Sequence, residues 1–553
     1  MNRIFLCAVS IFLIANLGCF DNGEYSQTYF ADIETVARQE ANVKLTLKTE
    51  DAGKLRAQRI SVAIFELRLI NQGNFTSPFT LMRKKADIID NQATVTFTSV
   101  PVQPVMASLI LEGANVGSYR EFHGGLDLAP GDNTITLVAS GVSSIEDANV
   151  QAALQAVADY ATMQRLSGAV FANINAAASA LSPDEQKSAD KVLAAFKARV
   201  AAAKPLALAA GESHSLVLRD DGTFAAFGSN VYGQLGIQGS STQLERKFVS
   251  FHKIVTQIAA GSEFSLFLTS DGKVYAAGNN DTGQLGITGV SMSAYPVEIS
   301  GLPAAKSIFA GFGNGFAIDN SDNLYAWGKN SDGQLGIGSI SNSELPRQIA
   351  TNVKQAAAGS NFILILKTDG TVWGAGDNSV AQMAQDIGNK SLVFVQIPGL
   401  ANVASIAAGS SHCLALKADK TVYAWGANFY GQTGLGVSDQ AIESPTLISG
   451  LNDIIQIAAG NNHSVARNSA GTLSVFGDNS MGQLANSDTS NNKFSPYQIA
   501  DPTSVVLLAA GGNHNLVVTT SVFAWGANDA GQLGNGQSSG DGVAVPVERD
   551  LTW

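Results

Sequence analysis

Ala407-Ala408-Gly409-Ser410-Ser411-His412, then Val422-Tyr423-Ala424-Trp425-Gly426-Ala427-Asn428, then Gly431-Gln432, is the plainest copy of a unit that the chain writes seven times. The leading glycines are Gly211, Gly261, Gly311, Gly359, Gly409, Gly460 and Gly511, at spacings of 50, 50, 48, 50, 51 and 51 residues. A fixed period of that length is the signature of a repeat architecture. Inside each unit short apolar runs alternate with polar residues and are cut by glycine pairs, the pattern of short antiparallel strands joined by tight turns; helical periodicity is absent. One unit reads as strands over 453–458, 463–467 and 472–476, with a shorter one over 495–499. Four such strands make one blade of a β-propeller.

Comparing the units with one another separates what geometry dictates from what it leaves free. The glycine after the aromatic strand stands in all seven (Gly228, Gly278, Gly328, Gly376, Gly426, Gly477, Gly526), as do the asparagine two residues on, Asn230 to Asn528, and the glutamine four after that, Gln234 to Gln532. These are read as scaffold: glycine permits positive φ where the chain leaves the strand, and the two amides satisfy backbone groups of a buried loop.

The Ala-Ala-Gly-x-x-His, Tyr-Ala-Trp-Gly-x-Asn and Gly-Gln-Leu-Gly elements resemble the repeats of the regulator of chromosome condensation family. The resemblance implies a mainly β protein with a seven-bladed β-propeller over residues 205–553. Val545-Pro546-Val547-Glu548 echoes Tyr295-Pro296-Val297-Glu298 with no further Ala-Ala-Gly after it. The N-terminal strand 205–210 is therefore expected to complete the last blade and leave no free sheet edge.

In the first 18 residues Arg3 precedes an apolar run from Ile4 to Ala15, too short to span a bilayer with ordinary flanks, and this reads as a secretory signal. Gly18-Cys19 resembles the cleavage and lipidation box of bacterial lipoproteins, with Asn16 where that box has leucine, which implies Cys19 as an acylated residue and a lipid anchor. Ordinary cleavage nearby and an uncleaved anchor are the alternatives. Cysteine usage agrees with export without disulfides, since Cys7 would leave with the signal and Cys413 then has no partner. Residues 19–41 are polar and are expected to form a tether. Period-two runs over 42–141, such as Val43 to Leu47, Ile60 to Leu69 and Thr134 to Leu137, predict a β-sandwich, immunoglobulin-like or transthyretin-like. Residues 142–204 turn alanine-rich and are expected to form a helical connector, with capping boxes at Ser143 to Glu146 and Ser182 to Glu185 and an apolar stripe of Val192, Leu193, Phe196 and Val200.

Four of the six histidines, His214, His412, His463 and His514, share one repeat position. Equivalent positions on different blades lie about a blade width apart, whereas zinc needs ligands at about 2.0–2.1 Å. Phe264, Asn314 and Phe362 fill the same slot in other units, so structural histidines are expected and no metal. Neither a HExxH, a Gly-x-Ser-x-Gly elbow nor a phosphate loop is present, so no catalysis and no cofactor are expected. Residues 205–553 hold 16 Lys and Arg against 26 Asp and Glu, a net −10, which argues against nucleic acid as a partner. With 45% hydrophobic residues and a formal charge of −12, the 553-residue chain has a globular composition.

Guanine nucleotide exchange on a small nuclear GTPase and chromatin binding are the best-known activities the resemblance implies. The expected export argues against both, and the even spacing leaves no room for the inserted wedge the exchange factor uses. What the resemblance leaves is a binding scaffold for a protein partner, a role that in secreted bacterial relatives includes inhibition of β-lactamases by a propeller face. Parity places the partner. With four antiparallel strands per blade, the Ala-Ala-Gly-x-x-His turn and the Gly-x-Asn-x-x-Gly-Gln connection emerge on one face and the Asp-Gly turns on the other. Between the fixed Asn and Gly the two residues vary freely, so Tyr232, Asp281, Asp332, Phe429, Tyr430, Met481 and Asp529 are the candidate protein-binding residues, with Tyr232, Phe429 and Tyr430 as anchors. In the fourth unit Ala381 and Ala384 replace glycines, which is expected to reshape its loop; the seventh has a shortened turn on the opposite face.

Overall fold

In the computed structural model the described residues are 203–549 apart from 238–240, 250–252, 438–440, 487 and 490, together with the backbone of seven strands between residues 40 and 138 and scattered positions between 178 and 198. Residues 205–549 form seven four-stranded antiparallel sheets, each built from four strands consecutive in sequence. They are the seven blades, numbered here in chain order. In blade 5 the strands run Val403–Ala408, His412–Lys417, Val422–Ala427 and Ala441–Leu447.

The second and third strands of each blade are buried on both faces, which is why Phe264–Thr269 (FSLFLT) and Phe362–Lys367 (FILILK) read as nearly continuous apolar runs. Their two faces feed separate cores. Seven hydrophobic clusters fill the seven junctions between blades: Leu216, Phe224 and Leu235 of blade 1 pack against Val255, Phe267 and Tyr275 of blade 2, and at the other end Leu516 and Leu533 of blade 7 meet Val217 and Phe227 of blade 1. The propeller has no single centre; it is held by what lies between neighbouring blades.

Ring closure differs from the expectation. Pro205–Ala210 pairs with His214–Arg219 in its own blade, and blade 7 brings its own innermost strand, Leu507–Ala510, and its own outermost strand, Ser539–Arg549. No strand is missing, so none is exchanged. The ends meet instead through the cluster just named and through the Gly512 amide, which donates to the Gly211 carbonyl at 2.9 Å. Each blade keeps an outer strand whose far edge faces outward.

The other correction concerns blade 4. Ala381 and Ala384 take φ of 63° and 53°, beside 82° and 71° for Gly233 and Gly236 in blade 1, and the loop keeps the repeat's conformation. It is not reshaped. The shortened turn of blade 7 is present, closed by Thr519 N–H to the Ser521 carbonyl at 2.9 Å.

Before the propeller, Gln92–Pro101, Glu40–Lys48 and Gly131–Val138 form a three-stranded sheet in which the last two run parallel. Thr80–Asp87, Ile60–Leu69, Val105–Gly113 and Ser118–Leu126 form a four-stranded antiparallel sheet. Farther on, the described positions Ala178, Lys191, Leu193, Ala194, Ala195 and Ala198 are helical. Ser182 N–H and Oγ both donate to Glu185 Oε2, at 3.2 and 2.8 Å, the contact a capping box makes. The expected signal, Cys19, the tether up to residue 39 and the helix start at Ser143 lie outside the described residues; Glu40 and Ala41, expected at the end of the tether, open the strand Glu40–Lys48. Among the described residues no helix is long and apolar enough to cross a membrane.

Candidate binding face of the propeller

Seven equivalent hydrogen bonds fix the two kinds of loop to one face. The amide that follows the fixed glycine donates to the carbonyl just before the histidine position in every blade, from Ser229 to Ser213 through Ala427 to Ser411 and Ala527 to Asn513, all at 2.8–2.9 Å. The fixed glycine makes this approach possible. Gly426 sits at φ 91°, and a Cβ there would lie 2.6 Å from the Ser411 carbonyl oxygen.

The invariant amides are spent on the scaffold. Each fixed asparagine accepts, through Oδ1, the amide five residues on, as Asn428 does from Thr433 at 3.1 Å, while its Nδ2 donates to a loop carbonyl, here Val437 at 3.0 Å. Each fixed glutamine accepts, through Oε1, the amide two residues back, all seven at 2.8–3.1 Å. Because that amide belongs to the second of the two variable residues, the bond pulls that position inward. The first variable residue is therefore exposed in all seven blades, whereas the second is half-buried in six.

This sorts the candidates. Asp281, Phe429 and Asp529 occupy the exposed position; Tyr232, Asp332 and Met481 occupy the half-buried one; Tyr430 is the exception, exposed at the inner position. Phe429 is 51% and Tyr430 42% exposed, so blade 5 alone presents two adjacent aromatic side chains to solvent at this pair. Asp332 is held by Lys390, at 3.3 Å, and Asp529 accepts from Gln532 Nε2 at 2.8 Å.

At the centre of the face, outside the candidate pairs, the residue after each leading glycine also varies. Glu212, Ser262, Phe312, Asn461 and Gly512 ring the mouth of the central channel, a cavity of about 110 Å³, room for three or four waters. Glu212 accepts from Asn461 Nδ2 at 2.8 Å, and burial at the mouth pushes its carboxyl upward, with Asp529 and Glu263 adding repulsion. With Asp281, Asp377 and Asp478 on the surrounding loops, this face is rich in carboxylates. The signal for Glu212 was in the sequence, in the x positions of Ala-Ala-Gly-x-x-His.

The histidines are structural and join blades. His412 Nε2 donates to Ser464 Oγ of the next blade at 2.9 Å, and that hydroxyl donates back to the Gln432 carbonyl of blade 5 at 2.8 Å. His214 with Ser265, His463 with Asn515 and His514 with Ser215 repeat the arrangement. Because the serine's proton is committed to the carbonyl, the imidazole must carry its hydrogen on Nε2. The edge with Nδ1 lies on the leading glycine, where a Cβ on Gly409 would be 2.4 Å from His412 Nδ1, and Nδ1 has no partner in any of the four. A proton placed there would be buried with no acceptor, and burial holds these imidazoles at about 4 (His214, His463) and about 3 (His412, His514). Where the next blade has no such serine, tryptophan donates instead: Trp327 Nε1 to the Gln284 carbonyl at 2.9 Å and Trp425 Nε1 to the Gln382 carbonyl at 2.8 Å.

Comparison with known proteins agrees with the fold. The RCC1-like domain profile matches residues 305–552, and profiles of the regulator of chromosome condensation (RCC1) repeat match 206–234, 255–284 and 271–318. Human probable E3 ubiquitin-protein ligase HERC4 is 38% identical over 192 residues, covering 34% of this chain and 18% of that protein; the Danio rerio protein RCC2 homolog is 33% identical over 110 residues, 19% and 22%. The chain thus spans about a tenth to a fifth of the length of the curated relatives it matches. Among solved structures, human WBSCR16 superimposes with a TM-score of 0.53 at 24% identity, over 57% of this chain and 87% of that one. Prp20p of Saccharomyces cerevisiae gives 0.54 at 22%, over 61% and 86%. Through its propeller, this chain belongs to the regulator of chromosome condensation (RCC1) repeat family.

Proposed function

We propose that the chain is an exported, lipid-anchored, non-enzymatic scaffold that binds a protein partner through the loop face of the propeller. The observation that carries this is the division of labour in the loops: each fixed asparagine and the Oε1 of each fixed glutamine are bonded inside the loops, and what remains outward is a variable set with an exposed aromatic pair among carboxylates. Aromatic side chains dominate binding hot spots, and an acidic surround favours a partner with basic groups over nucleic acid. In this reading Cys19 carries the lipid, residues 19–39 form the tether, and the two sheets between residues 40 and 138 pack as a sandwich that, with a helical connector, holds the propeller off the membrane.

The test uses the full chain. Replacing Phe429 and Tyr430 together by Ser should weaken partner binding about 30-fold, on the order of 2 kcal/mol, with stability changed by about 0.5 kcal/mol or less. Gly426→Val should do the reverse and lower the melting temperature, since φ 91° and the Ser411 carbonyl are closed to a β-branched residue. Undiminished capture of the same partner by a stable double variant would move the site off this face. Cys19→Ser should stop the chain partitioning into detergent; unchanged partitioning would remove the anchor.

Family membership favours a second reading, nucleotide exchange on a small GTPase, because the Prp20p structure is described with binding to Gsp1p and histones. Accelerated nucleotide release from a GTPase at catalytic amounts of this chain would support it over the first. Inhibition of a single captured enzyme, as by the β-lactamase inhibitors, would narrow the scaffold to an inhibitor.

A further inference from the structure

The seven junctions between blades are not equivalent. At six of them a side chain of the following blade donates to the main-chain carbonyl of the fixed glutamine, by serine, asparagine or tryptophan. Between blades 3 and 4 the two donor positions hold Ile363 and Ala375, and among the described residues no side chain reaches the Gln334 carbonyl. The Gln334 Nε2 is buried without a partner as well. Its counterparts Gln382 and Gln483 donate to Asp377 and Asp478, and blade 3 has Lys329 in that place.

The rim of the channel has its gap at the same junction. The amide after each leading glycine donates to the next blade, Glu212 to Gly261, Ser262 to Phe312, Ser360 to Ser410, Ser410 to Asn461, Asn461 to Gly512 and Gly512 to Gly211, at 2.8–3.3 Å. Phe312 N–H makes no such bond among the described residues. Two independent hydrogen-bonded rings are thus interrupted between blades 3 and 4. What remains between these blades is apolar packing of Phe316, Ile363 and Ala375 and, at the periphery, two main-chain bonds, Val353 N–H to the Asp322 carbonyl at 2.9 Å and Gly338 N–H to the Leu392 carbonyl at 2.8 Å; on the outer side a groove of about 560 Å³ opens between Ile349, Trp373 and Phe394.

On the loop face, exposed Lys390 and half-buried Lys329, Asn361 and Asp332 add two ties. Lys329 Nζ of blade 3 donates to Asn361 Oδ1 of blade 4 at 2.7 Å, and Lys390 of blade 4 pairs with Asp332 of blade 3 at 3.3 Å. The Lys390–Asp332 pair is screened by salt, and either lysine can be drawn to a competing carboxylate, which buried latches cannot.

We propose that the junction between blades 3 and 4 is the seam at which the ring opens, and that Lys329 and Lys390 hold it closed from the loop face. Opening there is a sub-global event of the folded protein. A partner that engages the two lysines would couple binding on this face to the seam.

The chain supplies its own reference. Cys413 is buried at the junction between blades 4 and 5, in the repeat position that Ile363 occupies between blades 3 and 4. In Ile363→Cys full-length protein, thiol labelling under native conditions, followed by peptide mass mapping, should modify residue 363 about tenfold or more faster than Cys413. The rate at 363 should rise about threefold from low to high salt, and should already be high at low salt in the Lys329→Gln, Lys390→Gln background. Ala375→Cys provides a second reporter should the first variant fold poorly. Equal rates at the two junctions, no reaction at either, or faster reaction of Cys413 would overturn the seam; a tenfold excess that ignores both salt and the lysine changes would remove the lysines from it.

Discussion

Two arcs of one ring are joined by different chemistry. From blade 5 through blades 6, 7 and 1 to blade 2, each junction carries a buried histidine that donates across to serine or asparagine. From blade 2 to blade 5 the slot holds Phe264, Asn314 and Phe362, and the latch is a tryptophan at two junctions and absent at the third. The geometry takes a flat ring on the leading glycine in six blades and a side-chain donor to the glutamine carbonyl at six junctions. It is indifferent to which side chain does either, and that indifference introduces four titratable groups into half of the ring.

The largest consequence is in acid. The four imidazoles are held near 3 to 4 in the folded chain, against about 6.5 when unfolded, so between those values the unfolded chain binds protons that the folded chain refuses. Stability is complete above about pH 6.5 and is lost as pH falls toward 4, by on the order of 3 kcal/mol per histidine at full extent. Four such losses are comparable with the whole stability of a domain, so the propeller should unfold on acidification before pH 4. Denaturant titrations from pH 7 to 4 measure this; a flat profile through that range would mean that the imidazoles are not buried as described.

The arcs can then be set against each other one junction at a time. His412→Phe places in blade 5 what blades 2 and 4 already carry, and leaves Ser464 donating to the Gln432 carbonyl. It should flatten the acid slope by one proton in four while changing stability at pH 7 by less than about 1.5 kcal/mol. Trp425→Phe acts on the other arc. It strips the donor from the Gln382 carbonyl, leaves only the weak Cys413 thiol contact at 3.8 Å, and should cost about 1–3 kcal/mol at every pH tested. Pure loss without pH dependence in one arc and pH dependence without much loss in the other is the expected contrast; equal slopes in both variants would erase it.

How much of this was legible in the sequence follows from how often the chain repeats a requirement. Asn428 and Gln432 are legible as scaffold because seven loops carry them, and four antiparallel strands per blade already place both loops on one face. The ring closure was misread because the first and last strands of a repeat ring look alike in sequence; only the pairing of Pro205–Ala210 with His214–Arg219 decides. The half-burial of Tyr232, Asp332 and Met481 was invisible because it comes from a backbone amide bonded to Gln Oε1, and a freely varying side chain does not report that its own backbone is tied. The latches needed contacts between residues about 50 apart, of which the sequence shows only one partner at a time.

Blade 4 offers the smallest test and the most discriminating one for the unlatched arc. Ala381 and Ala384 hold φ of 63° and 53°, a region where an alanine is disfavoured by about 1–2 kcal/mol, and the bonds of Val380 N–H to Gln382 Oε1 and of Met383 N–H to Asn378 Oδ1 hold them there. Ala381→Gly removes the strain but adds conformational entropy to the unfolded chain, which offsets about 0.4–1 kcal/mol of the gain. The net should be a stabilisation of about 0.5–1 kcal/mol, with no change in acid slope because no histidine lies in blade 4. The same substitution should leave labelling of a thiol at residue 363 unchanged, since loop strain is relieved within the blade and not across its junction. If Ala381→Gly destabilises the protein, the alanine methyl is making contacts that outweigh its backbone cost; if it also slows labelling at 363, strain in this loop is part of what opens the seam.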